Sequence, residues 1–128
     1  EFSDRLWEHL RGLHRSDPRC GGLPPERAAD PDPGFPFAGR DFFVVGMHPH
    51  ASRIARRFFR PALVFNALSH SRHLEEQGTY AGMVERVRAR DLRLQGSLNP
   101  NLDLPRTAQF SGKESDTDWK CPIRFDPR

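Results

Sequence analysis

The sequence predicts an α+β fold: a small central sheet built on a strand–His/Arg crossover–strand unit, flanked by helices and followed by a loop-rich C-terminal third. Three observations carry that reading. Asp41 to Met47 (DFFVVGM) and Ala62 to Phe65 (ALVF) are short apolar runs rich in Phe and Val, of strand length and composition. The residues between them hold Pro49 and Pro61, which interrupt regular structure at both ends. Apolar residues at helical spacing then recur on either side, with Phe2, Leu6, Leu10 and Leu13 before the strands and Tyr80, Met83, Val84 and Val87 after them. Strands and helices in separate runs, not in regular alternation, define the α+β class.

Taken in order, the first helix is expected over residues 3–16, with Ser3 as its cap and Trp7 beside the apolar stripe. From Asp17 to Pro36 the chain holds six prolines and three glycines, which reads as an extended connection anchored at its end by Phe35 and Phe37. The strand from Asp41 is expected to be buried on both faces and to end near His48, because Pro49 has no N–H to donate and biases His48 away from helical geometry. Ser52 can cap a helical turn bearing Arg53, Arg56 and Arg57 before Pro61 stops it. The crossover favours antiparallel pairing, since a parallel return needs about a dozen residues or more, although 48–61 is long enough for either. One helix opens at Leu68-Ser69 and ends at Gly78; another is capped by Thr79 and runs toward Leu92 and Leu94. Beyond Gln95, Gly96, Asn99-Pro100-Asn101, Pro105 and Ser111-Gly112 mark turns.

At 128 residues the chain has room for one domain, 1–128, with residues 37–128 as its main body. The hydrophobic fraction of 36% excludes Gly, and adding the 10 glycines brings it close to that of ordinary globular domains. No apolar run of about 18 residues is present to span a bilayer, and the start has no signal-peptide pattern. The expectation is a soluble cytoplasmic protein without a membrane partner. The chain opens on Glu1, inside a helical pattern, so an upstream piece is expected to be missing. Cys20 and Cys121 are a single thiol pair, expected to be reduced in a non-secreted chain.

Lys113 and Lys120 are the two lysines, so 18 of the 20 basic residues are arginine. They cluster at Arg53, Arg56, Arg57 and Arg60 and again at Arg86, Arg88, Arg90 and Arg93. The planar guanidinium fork suits carboxylates and phosphates, which lysine contacts only as a point charge. The second cluster has Glu85 and Asp91 beside it and reads as a solvated, salt-bridged helix face. A nucleic-acid partner is disfavoured: Tyr80 is the only tyrosine, no binding motif is present, and a net charge of +3 is modest.

His48-Pro49-His50 is the leading site candidate, because a neutral imidazole ligates iron or zinc through one ring nitrogen. Histidines two apart on a strand share a face, which also fits a cupin-like metal centre. That arrangement lacks its carboxylate, since no Asp or Glu follows His50 until Glu75, and Pro49 spoils the strand. His70 and His73, three apart on a predicted helix, can add ligands.

Four long segments, FFVVGMHPHASRIARRF, PALVFNA, ERVRARDLRLQGSLNPNL and QFSGKESDTDWKCP, together resemble the YqcI/YcgG family over about residues 35–123. Characterised members of that family are haem-dependent N-hydroxylases acting on guanidine-bearing amino acids, as in the guanitoxin pathway. The resemblance implies haem b held by His48 as the axial iron ligand, with Cys121 of the WKCP segment as the alternative ligand. His50 then becomes the distal catalytic proton donor. Arg53 and Arg56 would contact propionates or a substrate carboxylate, Phe43 and Phe65 would wall the macrocycle, and Asn66, Ser97 and Asn99 would line the substrate pocket. The implied activity is a monooxygenase hydroxylating a nitrogen of an arginine-like amino acid, with an external electron donor and redox partner that the sequence does not identify. Family members carry a further N-terminal region, so part of the pocket is expected from it or from a second subunit of a homodimer. A non-catalytic haem-binding or interaction module, and a non-haem metal protein using His48 and His50, are the alternatives.

Overall fold

Helix α1 (Phe2–Ser16) forms where the period of the apolar residues demands it, and it buries Leu6, Trp7 and Leu10. It starts one residue ahead of the expected boundary, so Ser3 lies in the first turn and does not cap it. The structure, a computed structural model, describes residues 1–19, 30–115 and 118–123; Cys20 and much of the Pro/Gly-rich connection lie outside the described residues. Asp17, buried just past α1, accepts the Ala38 N–H at 2.9 Å and so ties the helix end to the sheet.

The sheet is a three-stranded antiparallel meander of order β1-β2-β3, formed by β1 (Phe35–Phe37), β2 (Arg40–Met47) and β3 (Ala62–Ala67). The sequence concealed β1 as a mere anchor, because Pro36 demotes a strand reading. It is tolerated at this edge, opposite Asp41. The β1–β2 turn is two residues long, and both Ala38 and Gly39 have positive φ, at 52° and 77°, the geometry that matches strand twist in tight hairpins. Strands β2 and β3 pair from Met47↔Ala62 to Phe42↔Ala67, the antiparallel arrangement that the crossover favoured. Within β2, Asp41, Val44 and Gly46 are buried and the intervening residues only half-buried, so the strand is not enclosed on both faces as expected.

The core lies where α1 meets the sheet. Leu6, Trp7, Leu10, Phe35, Val44, Phe110 and Ile123 form one cluster, with Trp7 stacked on Phe110 at 5.8 Å between ring centres. Burial of side chains of this size stabilises by about 1.5–3 kcal/mol each. The buried carboxylate of Asp41 is satisfied by Arg72, whose guanidinium donates to its two oxygens at 2.7 and 3.3 Å.

Helix α2 (Leu68–Glu76) follows β3 directly, with Ala67 at its cap position and Ser69 inside the first turn; Gly78, at φ +72°, turns the chain away. Helix α3 (Tyr80–Gln95) starts after Thr79, whose hydroxyl donates to Leu74 O at 3.3 Å and not to the new helix. Gly96 closes α3 in the left-handed conformation, its N–H bonding Leu92 O at 2.8 Å. In the C-terminal loops the buried side chain of Asn101 donates to Lys113 O at 2.7 Å and accepts from Ser115 N at 3.0 Å, holding two turns together. Among the described residues no helix is long and apolar enough to cross a membrane.

Candidate functional site

Strand β2 exits into the crossover at His48, as Pro49 dictates. There the backbone folds back on itself: His48 N–H donates to Arg56 O at 3.1 Å, and His48 O accepts from Ala51 N–H at 3.3 Å. A single 3₁₀ turn, Ile54–Arg56, replaces the Ser52-capped helical turn that the sequence indicated. The result is a tight loop that presents both histidines on one side.

That side is one wall of a cleft of about 1160 Å³. Phe2, Arg5 and His9 of α1 line it, with His48, Pro49 and His50 of the crossover, Leu63 and Phe65 of β3, and Lys113 of the C-terminal loops. Its volume is slightly above the roughly 300–1,000 Å³ usual for small-molecule pockets, so it is roomy enough for a large planar ligand. His48 is half-buried and packs its ring on Phe2 at 4.4 Å between centres; His50 and His9 are exposed. The His48 Nδ1 accepts the His50 backbone N–H at 3.3 Å, which in the neutral ring leaves the hydrogen on Nε2. The rim is mixed in charge, with Arg5 and Lys113 as its cationic side chains and Glu1 and Asp4 as its carboxylates.

Of the residues singled out from sequence, the structure brings His48, His50 and Phe65 together in this cleft. The others lie elsewhere. Arg53 is only 5% exposed and reaches α3: its guanidinium donates to Asp91, to Ser97 O at 2.6 Å, to Ser97 Oγ at 3.0 Å and to Leu98 O at 3.4 Å. Ser97 is thereby committed to Arg53. Arg56 turns its guanidinium onto backbone carbonyls, to Gln109 O at 2.9 Å and to Gly46 and Phe110 O at 3.3 Å each; burial pulls its pKa below the usual arginine range. Phe43 packs against the core, edge-on to Phe110 at 5.6 Å. Asn66 is exposed on β3 and donates to Phe43 O at 3.4 Å, while Asn99 Oδ1 accepts from Asn101 N at 3.0 Å in a local turn. Cys121 is half-buried against the core, and burial raises its thiol pKa, opposed by hydrogen bonds from the Ile123 backbone and the Thr107 side chain.

Arg5, His9 and Lys113 escaped the sequence reading. Arg5 and His9 are one helical repeat apart at the border of the α1 apolar stripe, where polar residues read as solvent-facing until a neighbouring wall is known. Among the described residues no three His, Cys, Asp or Glu side chains converge to hold a metal ion, so the cleft offers single imidazoles in place of a ligand cluster.

The structure defines a small α+β domain with an imidazole- and arginine-lined cleft at the exit of its central strand. The sequence model of the YqcI/YcgG family matches residues 1–124, and the chain belongs to that family. No curated protein and no solved structure matches it significantly.

Proposed function

We propose that this chain serves a haem-dependent monooxygenase that hydroxylates a nitrogen of a guanidine-bearing amino acid, with the haem in the His48 cleft. The observation that carries the reading is His48 itself: a half-buried imidazole packed on Phe2 in a cleft with an apolar wall and a rim that carries Arg5 and Lys113. Leu63 and Phe65 suit a macrocycle, and Arg5 and Lys113 suit its carboxylates better than Arg53 and Arg56, whose terminal guanidinium nitrogens are already engaged elsewhere. One feature opposes direct ligation. A histidine that holds a metal through Nε2 usually donates its Nδ1–H to an acceptor, whereas His48 Nδ1 accepts from His50, so holding haem iron through Nε2 would require that bond to break and the ring proton to move to Nδ1. At 3.3 Å it is a weak bond, of about 1 kcal/mol or less. Cys121 is the poorer ligand, because it does not line the cleft and burial keeps its thiol protonated.

Bound haem supplies the oxidising chemistry. In the overall reaction one oxygen atom enters a substrate N–H bond and the other leaves as water, consuming two electrons and two protons. The protein would hold and orient the substrate, and the acidic side chains of the lining, Glu1 and Asp4, suit its guanidinium. His50, exposed in the same cleft, is placed to pass a proton to or from a bound substrate.

The test is haemin titration of the folded chain, read by absorption in the oxidised, reduced and carbon-monoxide-bound forms, for wild type, His48→Ala and Cys121→Ala. Stoichiometric binding lost only in His48→Ala is expected, followed by arginine-dependent oxygen consumption. A wild-type chain that folds but binds no haemin, or a His48→Ala spectrum like that of wild type, overturns the proposal.

A further inference from the structure

Helix α3 is 16 residues long, yet none of its residues is buried. Isolated helices of about this length are marginal in water, so a helix of this kind ordinarily owes its stability to burial of one face. Tyr80, Met83 and Val84 are half-buried, but the apolar side chains farther along remain largely in solvent: Val87 is 59% exposed and Leu94 52%, with Leu98 beyond the helix at 51%. Arg86, Arg90 and Arg93, at i, i+4 and i+7, run in a row beside that stripe. The salt-bridged face expected from sequence is absent, because Asp91 turns inward to Arg53 and none of these arginines has a carboxylate partner among the described residues. The one contact in the row is Arg86 Nε to Gly82 O, at 3.3 Å.

We infer that this face of α3 docks a protein that presents carboxylates around an apolar centre, and that under the oxygenase reading, on which this second part rests, the partner is the electron donor. Charge decides against a second copy of the chain. Packed against itself about a twofold axis, the stripe meets only the same arginine-bearing flanks, Arg86, Arg90 and Arg93 on one side and Arg88 on the other, a like-charge contact without compensation. An acidic surface meets the row with opposite charge and covers Val87 and Leu94. The location suits the role. Gln95, at the end of α3, accepts the Ile54 N–H at 2.6 Å and donates to Ser52 O at 3.1 Å, and Ser52 lines the His48 cleft. A protein seated on α3 therefore abuts the crossover that carries His48, and an acidic iron–sulfur or flavin protein there can deliver the two electrons that the hydroxylation consumes.

The probe is an acidic plant-type ferredoxin, titrated into the full chain and followed by NMR or calorimetry, with the triple variant R86E/R90E/R93E checked for folding by circular dichroism. Without haem, the chain is expected to bind ferredoxin at about 20 mM salt, and to bind at least about tenfold more weakly at about 500 mM salt or with the triple variant. In the haem-loaded chain, reduction by ferredoxin is expected to slow by a similar factor in the variant, while reduction by dithionite is unchanged. Absence of ferredoxin binding, or binding that the charge reversal leaves intact, overturns the inference. So does finding that the same arginines mediate binding to phosphatidylglycerol vesicles or self-association in sedimentation instead. Binding by the haem-free chain is read separately from haem chemistry, so a failed haem titration and a failed docking face are distinguishable.

Discussion

Replacing Arg53 with methionine removes the strongest polar link between the crossover and α3. The guanidinium is nearly sealed from water and donates to the Asp91 carboxylate, the Ser97 hydroxyl and two backbone carbonyls. Methionine fills much of the volume but leaves Asp91, whose side chain is 18% exposed, without its cation, and leaves the carbonyls of Ser97 and Leu98 without this donor. Breaking a buried ion pair from one side costs about 3–5 kcal/mol, and because Asp91 retains some water the lower end, about 3 kcal/mol, is expected. Arg53→Lys keeps the charge but not the fork, and it recovers only part of the loss. Urea unfolding at pH 7 measures this, with the Arg53→Met, Asp91→Asn and double variants closing a cycle whose coupling is expected at about 1–3 kcal/mol. A single-variant loss below about 1 kcal/mol, or zero coupling, refutes the view that Arg53 is a structural clamp and returns it to the pool of ligand-binding candidates.

Two further outcomes follow from close packing and from burial. Gly46→Ala places a methyl 2.7 Å from Leu6 Cδ1, 2.8 Å from Phe2 Cε1 and 2.9 Å from the Phe110 carbonyl, so a loss of about 2–3 kcal/mol in urea unfolding is expected, and a neutral result contradicts this packing of α1 on β2. The Cys121 thiol pKa is raised in the folded protein, so the folded state holds its proton to higher pH than the unfolded chain does. Its contribution to stability is therefore complete below the ordinary thiol pKa of about 8.5 and is lost as pH rises through the folded value. The stability of wild type relative to Cys121→Ala is expected to shrink as pH rises above the ordinary thiol pKa of about 8.5; a difference that does not change with pH disproves the shift.

Local chemistry wrote much of this structure directly into the sequence. The stripe of Leu6 and Leu10 could be satisfied only by a helix against a core, and Pro49 could not continue a ladder, so the end of β2 at His48 followed from covalent geometry. The glycines at 78 and 96 marked their helix ends for the same kind of reason, since both sit at positive φ. The antiparallel pairing of β2 with β3 was favoured by connection length, which is also a property of the chain alone.

What a side chain faces is not such a property. Arg53 and Arg56 stand three apart beside the histidines, yet the 3₁₀ turn sends one guanidinium to α3 and the other to the carbonyls of 109–110. Asp91 reads as a partner for its neighbouring arginines but pairs with Arg53, 38 residues away in sequence, which strips α3 of its charge compensation. Arg5, His9 and Lys113 reach the cleft only because α1 packs across Gly46 and Asn101 holds the 113 loop in place. Sequence by itself determined α1, the β2–β3 pair, the two later helices and the exit of His48 from the sheet, though not β1 or the helix caps, because the former depend on backbone sterics and on periodicity within about a dozen residues. The tertiary structure alone decided which charges are spent on holding the fold and which remain at the cleft and on α3, because that depends on contacts between residues distant in sequence, where burial sets the worth of each charge.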